Sequence, residues 1–306
     1  MDARDCRFEF CGVDDACGGS LADDSQGDLQ HGASTVTECA IAASRILLVY
    51  WRLFSGGEAV VFVKNGLEIE RWKFWSPQTR APREWQEHWS RPAADEPKAE
   101  VPADLIPTVH KRRMSALSKL AVQIGLEASE GSHADFLVFC SQHGEMTRTR
   151  ALLGDIAAGV VLSPAAFSQS VHNTSAGLYT IVAASRVPAS AVAAGPNTFA
   201  YAWLEAEAFL ACNPSSRVLL VSYDEPLPAE YRPYTTQKQC LYGLALMLRA
   251  GGTAGITLDP APAQHDEPLP MAPLFIAWAE SGADALAITA DGQGWLWRRS
   301  AGERSC

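Results

Sequence analysis

From about residue 59 onward, apolar positions fall into two alternating kinds of segment. Short β-branched or aromatic runs bounded by Gly, Pro or Asn predict strands, and stripes at three- and four-residue spacing predict helices. Ala59–Val63 (AVVFV), punctuated by Gly66, reads as a strand, and the alternation over 67–77 (LEIERWKFWSP) reads as an edge strand. Trp85 and Trp89 give Thr79–Trp89 helical spacing, while Pro92, Pro97, Pro102 and Pro107 make 92–107 a loop. Met114, Leu117, Ala121, Ile124 and Ala128 mark one face of an amphipathic helix over Thr108–Ser129. Further strands are expected at 135–140 (DFLVFC), Ala189–Ala194, Arg217–Tyr223, Cys240–Leu248 and Thr253–Leu258. Helices are expected at Thr147–Ala158, Gly177–Ala184, Thr198–Ala211 and Pro273–Glu280, with a polar loop over Ala165–Ala176. Ala285–Ala290 and Gln293–Arg298 form a hairpin around Asp291-Gly292. Strands alternating with helices predict an α/β layered fold.

Composition narrows the function classes. Of 306 residues, 47% are hydrophobic and 20% charged, so the chain can bury a core and is not disordered as a whole. A net charge of −10 argues against a partner that is nucleic acid. Residues 1–40 concentrate the acidity, with nine acids against two bases. Residues 1–60 are therefore expected to be an acidic, disordered leader, and 61–306 the folded domain. The first apolar run, Ile46–Tyr50, is flanked by Arg45 and Arg52 and falls short of the ~20 residues that span a bilayer. No membrane association or cleaved signal is expected, and a cytoplasmic location is. Cys6, Cys11 and Cys17 have no zinc-ligand spacing, and the eight cysteines suggest no disulfide framework, so no metal or other cofactor is expected.

One stretch carries a resemblance. From Phe139 the chain runs strand, SQHGEM, helix, then LSPAAFSQSVHNTSAGLYTIVA (162–183), VPASAVAAGPNTFAYAWLEAEAFL (187–210) and RVLLVSYDEPLPAEY (217–231). This resembles the N-terminal half of the β-ketoacyl synthases, with their thiolase-like fold. It is more closely similar to the short ketosynthase-like proteins termed chain length factors, found among genes for aryl polyene and related fatty-acid-like products. The similarity covers about residues 67–300 and is most specific over 162–231. In that order of elements, Asn173 with Ala176-Gly177 opens a helix, Ala189–Ala194 is the strand of the dimer contact, Gly195–Asn197 is the nucleophile turn, and Thr198–Ala211 is the long helix after it.

The departures from that pattern matter most. A ketosynthase needs a cysteine at the turn, because the thiolate attacks the acyl thioester and holds the chain covalently. Here the turn reads Ala193-Ala194-Gly195-Pro196-Asn197-Thr198, so Gly195 stands at the nucleophile position and offers nothing to acylate. The next cysteine, Cys212, is at the far end of the helix, ~20 Å away at 1.5 Å per residue. The resemblance also requires two histidines from a C-terminal half. Beyond Tyr231 the only histidine is His265, in a proline-rich loop, so no Cys-His-His set is expected.

The resemblance implies a ketosynthase-like accessory subunit that is not catalytic alone. It would act with a full-length ketosynthase and an acyl carrier protein in aryl polyene or another fatty-acid or polyketide-type biosynthesis, pairing through Ala189–Ala194. A homodimer is a further possibility. His143, Phe167, His172, Asn173 and Phe199 are the acyl-channel or interface candidates, with Phe167 and Phe199 limiting chain length by their bulk. Plainer readings stay open: His172 packing at a helix start, Asn173 serving as its N-cap, Gly144 as a strand-to-helix turn, and Cys140 as an inert core residue. Asp224-Glu225 reads as a structural turn rather than a metal or acid–base pair. His110-Lys111-Arg112-Arg113 is either a solvated turn or a surface for an acidic partner. The rival function is an acyltransferase or thioesterase acting on carrier-bound acyl groups through Cys140, His143 or His172.

Overall fold

The structure, a computed structural model, describes residues 66–90, 100–252 and 255–300. The expected leader at 1–60 and the strand at 59–63 lie outside these residues. The described residues belong to one unit that spans 42–306.

The apolar runs become one eight-stranded sheet in the order β3-β2-β4-β5-β1-β6-β8-β7. The strands are β1 (Leu67–Trp75), β2 (Phe136–Cys140), β3 (Ala189–Val192), β4 (Arg217–Asp224), β5 (Tyr242–Ala250), β6 (Ile256–Ala261), β7 (Ala285–Ala290) and β8 (Gln293–Arg299). β2 runs parallel to β3 and β4, and the remaining pairings are antiparallel. The helices are α1 (Pro82–Trp89), α2 (Thr108–Lys111), α3 (Ala116–Ser129), α4 (Met146–Ala157), α5 (Pro164–Ser168), α6 (Thr174–Val182), α7 (Thr198–Cys212) and α8 (Met271–Ser281).

Alternate residues of β2, β4 and β5 feed two cores, one on each face. Val138, Val218, Leu220, Leu244 and Leu246 pack with α1, α7 and α8. Leu137, Phe139, Leu219, Val221 and Ala245 pack with α3 and α6. The result is the expected α–β–α layering of a thiolase-like fold.

Three expectations change. β1 is an interior strand: it pairs with β5 along its length and meets β6 at Leu67↔Ile256. A bulge between Ile69 and Arg71 moves its inward phase from Leu67 and Ile69 to Trp72 and Phe74, and turns Trp75 to the opposite core. The helix expected over Thr108–Ser129 is two helices. Ser115, extended at φ −65° and ψ 170°, breaks it and caps α3 by accepting the Ser118 N–H at 2.8 Å. The loop expected over 165–176 contains α5, which starts at Ser163-Pro164 with the serine accepting from the Ala166 N–H.

The C-terminal segment closes one face. Every residue from Met271 to Trp278 is buried, and Trp295 and Trp297 on β8 are buried with them. Phe275 and Trp297 approach Phe199 of α7 at ring-centroid distances of 5.1 and 6.3 Å.

Candidate functional site at the carboxyl ends of three strands

β3, β2 and β4 lie side by side and, being parallel, end on the same edge of the sheet. Loops at the carboxyl ends of parallel strands are where α/β sheets place their binding sites. Three segments meet the criterion here: 141–145 after β2, 193–197 after β3, and 225–228 after β4.

The first segment is held by Asp224. Its carboxylate accepts from the Ser141 hydroxyl (2.7 Å), the Gln142 N–H (2.9 Å), the His143 N–H (3.3 Å) and the Tyr242 hydroxyl (3.2 Å). Burial raises the Asp224 carboxyl from its ordinary value, and the Ser141, Gln142 and His143 donors together with the His143 imidazole oppose the rise. Burial lowers His143, and the Asp224 charge opposes that. Asp224 is thus the anchor of a turn, as its sequence position suggested. Ser141 Oγ also accepts the Gly144 N–H at 2.8 Å.

Gly144 is required twice over. Its φ of +58° favours glycine, and a Cβ there would stand 3.0 Å from the His172 ring. That ring is fixed by a 2.8 Å contact of His172 Nε2 with the Ser141 carbonyl oxygen. His143 and His172 are therefore brought together around one turn. Asn173 occupies the N-cap position of α6, yet its side chain makes no capping bond and is exposed.

Glu145, buried at 3%, accepts from Ser115 Oγ at 2.7 Å and from Ser118 Oγ, and lies 3.3 Å from Arg148 Nε. The sequence placed Glu145 with His143 and Gly144 at a strand end, but passed over Ser141 and Arg148. The signal for them is local: polar residues immediately follow the fully buried strand β2.

The second segment carries Gly195, exposed at φ +55° with open space where a side chain would stand. Thr198 fixes the turn: its Oγ1 donates to the Gly195 carbonyl (2.6 Å) and accepts the Ala194 N–H (2.9 Å). Asn197 Oδ1 accepts the Trp295 indole N–H at 2.8 Å. The turn is well built, and its Gly195 carries no side chain. Cys140, at the end of β2, is fully buried, and burial pushes its thiol up to about 12. Among the described residues, no group of three or more His, Cys, Asp or Glu is arranged to hold a metal ion.

The two aromatic candidates separate. Phe167 on α5 is 60% exposed. Phe199 is 3% exposed and sits in the core between Trp203, Phe275 and Trp297. Its cover comes from the C-terminal segment, whose aromatic side chains lie over the first turn of α7. No described helix is long and apolar enough to cross a membrane.

The sheet order, the parallel β3-β2-β4 set and the turn leading into α7 define a thiolase-like protein of the ketosynthase class. Residues 83–298 match the β-ketoacyl synthase N-terminal domain, and the chain belongs to that family. It is similar to a chain in the structure of the ketosynthase ApeO in complex with its chain length factor ApeC from Xenorhabdus doucetiae. There the identity is 28% and the TM-score 0.66, over 76% of this chain and 99% of that one. It also shares its fold with a chain of the ishigamide ketosynthase/chain length factor, at 17% identity and a TM-score of 0.51, over 64% of this chain and 67% of that one. No curated protein matches the chain in sequence.

Proposed function

We propose that this protein is a ketosynthase-like accessory subunit of the chain-length-factor type. It acts beside a full-length ketosynthase on acyl groups carried by an acyl carrier protein, in aryl polyene or another fatty-acid or polyketide-type synthesis. The observation that carries the reading is Gly195: the turn between β3 and α7 keeps its built geometry and has no side chain to acylate. The likeness to a chain of the ApeO–ApeC complex supports it.

Two surfaces suit the role. Among the described residues β3 is at the end of the sheet order, with exposed residues and an unpaired edge that a partner strand can extend. Leu153, Ile156, Val160, Val161 and Phe167, on α4, α5 and the loop between them, are all at least half exposed. Apolar residues concentrated in this way mark interaction surfaces. Together they form the face for the ketosynthase, where the bulk of Phe167 limits the acyl chain. The turn His110–Arg113 supplies the second surface. Arg112 and Arg113 are exposed, and among the described residues neither is in an ion pair, so the turn suits an acidic carrier protein. The burial of Cys140 weighs against an acyltransferase built on that thiol.

Co-expression with a ketosynthase of the same type tests the reading. The expected result is a one-to-one complex whose product length changes when Phe167 is resized. A ketosynthase that makes the same products with and without this chain contradicts it.

A further inference from the structure

A single guanidinium reaches three separate segments. Arg148 stands near the start of α4. Its Nε lies 3.3 Å from Glu145 Oε2, its Nη1 donates to Gln169 Oε1 at 2.7 Å, and its Nη2 donates to the Arg113 carbonyl at 2.8 Å. Gln169 directly follows α5, and Arg113 closes the basic turn between α2 and α3.

Both of those segments are poorly held on their own. α2 has four residues and α5 has five, and neither contains a buried residue. Helices this short gain too few hydrogen bonds to offset the cost of nucleation. The basic turn itself is held by short-range backbone bonds: His110 and Lys111 N–H to the Pro107 carbonyl (2.9 and 3.2 Å), Arg113 N–H to the His110 carbonyl (3.1 Å) and Met114 N–H to the Lys111 carbonyl (3.2 Å). Arg148, by contrast, is rooted in a rigid place. Its partner Glu145 is buried and bound by Ser115 and Ser118, at the start of α3. A planar guanidinium with two hydrogen-bond acceptors and an ion pair is fixed in orientation, which a lysine cannot reproduce.

We propose that Arg148 is a positioning residue that locks the basic turn 110–113 to the Phe167–Gln169 segment. The surface for the acidic carrier protein and the apolar surface for the synthase are thereby set as one rigid unit. What the two surfaces meet rests on the function proposed above, whereas the mechanical coupling between them does not.

Hydrogen exchange on the full chain tests the coupling. Arg148→Ala is expected to speed amide exchange about ten-fold in both 110–114 and 165–170, while β2 and β4 keep their protection. Arg148→Lys is expected to loosen both segments as well, because it restores only one of the three contacts. Gln169→Ala is expected to loosen 165–170 alone. Acceleration in one segment only, or in neither, overturns the proposal. If Arg148→Ala loosens β2 and β4 too, Arg148→Lys decides by the same criterion. Titration with a holo acyl carrier protein from a bacterial fatty-acid system separates the two claims. Both segments loosened with carrier affinity unchanged in Arg148→Ala and in Arg112→Ala/Arg113→Ala leaves the coupling standing and removes the carrier-docking assignment. Affinity lost in all these variants supports both.

Discussion

Trp295 donates its indole N–H to Asn197 Oδ1 at 2.8 Å, in a buried contact that ties the C-terminal hairpin to the turn bearing Gly195. Asn197 is 6% exposed, so removing the donor leaves a buried acceptor without its partner. Such a loss costs about 1–3 kcal/mol. Trp295→Phe should lower the urea midpoint accordingly. Adding Asn197→Ala should cost less than the sum of the two single changes, since the second change removes a group already stranded. Additive losses would show that the contact contributes nothing.

Cys140 and position 195 should differ sharply in reactivity. Cys140 is buried with its thiol pushed up to about 12, so it should resist a thiol reagent at pH 8 until the chain unfolds. A cysteine introduced by Gly195→Cys has open space around it at the start of α7. Its positive φ costs about 1–2 kcal/mol, which the folded chain should tolerate. Peptide mapping after labelling should find rapid modification at 195 and none at 140.

Acid sensitivity should trace to His143. Burial holds it below its ordinary 6.5, so just under that pH the unfolded chain binds more protons at this site than the folded one. Stability therefore falls as pH falls through this range. Asp224 acts in the opposite direction. Its carboxyl is raised from 3.8, so the folded chain takes that proton first and the contribution grows as pH falls. In His143→Gln the loss of stability between roughly pH 7 and 5.5 should shrink. An unchanged slope in chemical denaturation would remove His143 as its source.

Phe167 and Phe199 should behave as different kinds of residue. Phe199→Ala leaves a cavity among Trp203, Phe275 and Trp297 and should destabilise the chain by about 3–5 kcal/mol. Phe167 is mostly exposed, so Phe167→Ala should leave stability within about 0.5 kcal/mol. In a reconstituted synthase, Phe167→Ala should lengthen the products and Phe167→Trp should shorten them. Products unaffected by either change would remove Phe167 from the channel.

What could be read from the sequence was local. β2, β4 and α7 lie where their apolar runs put them, because each is bounded by polar or turn residues, the two strands are buried over nearly all their length, and α7 buries one face. β1 looked like an edge strand because Glu68 and Glu70 alternate with apolar residues. Its interior place depends on β5 and β6, which lie more than 150 residues later. The break at Ser115 was hidden because the apolar stripe keeps its phase across it. Phe199 looked available because its cover, Phe275 and Trp297, comes from the C-terminal segment. The Glu145–Arg148 network was invisible for the same reason: it joins Ser115, Arg113 and Gln169 across distant turns. The reading of Gly195 as the nucleophile position rests on the order of elements, and the structure adds the two Thr198 hydrogen bonds that hold the turn around it.

The most direct measurement is intact-mass analysis of both subunits after a complex of this chain with its ketosynthase is loaded from acyl carrier protein. The account predicts a stoichiometric acyl adduct on the ketosynthase and an unmodified mass for this chain. A stoichiometric adduct on this chain, at any residue of the 187–200 segment, would contradict it.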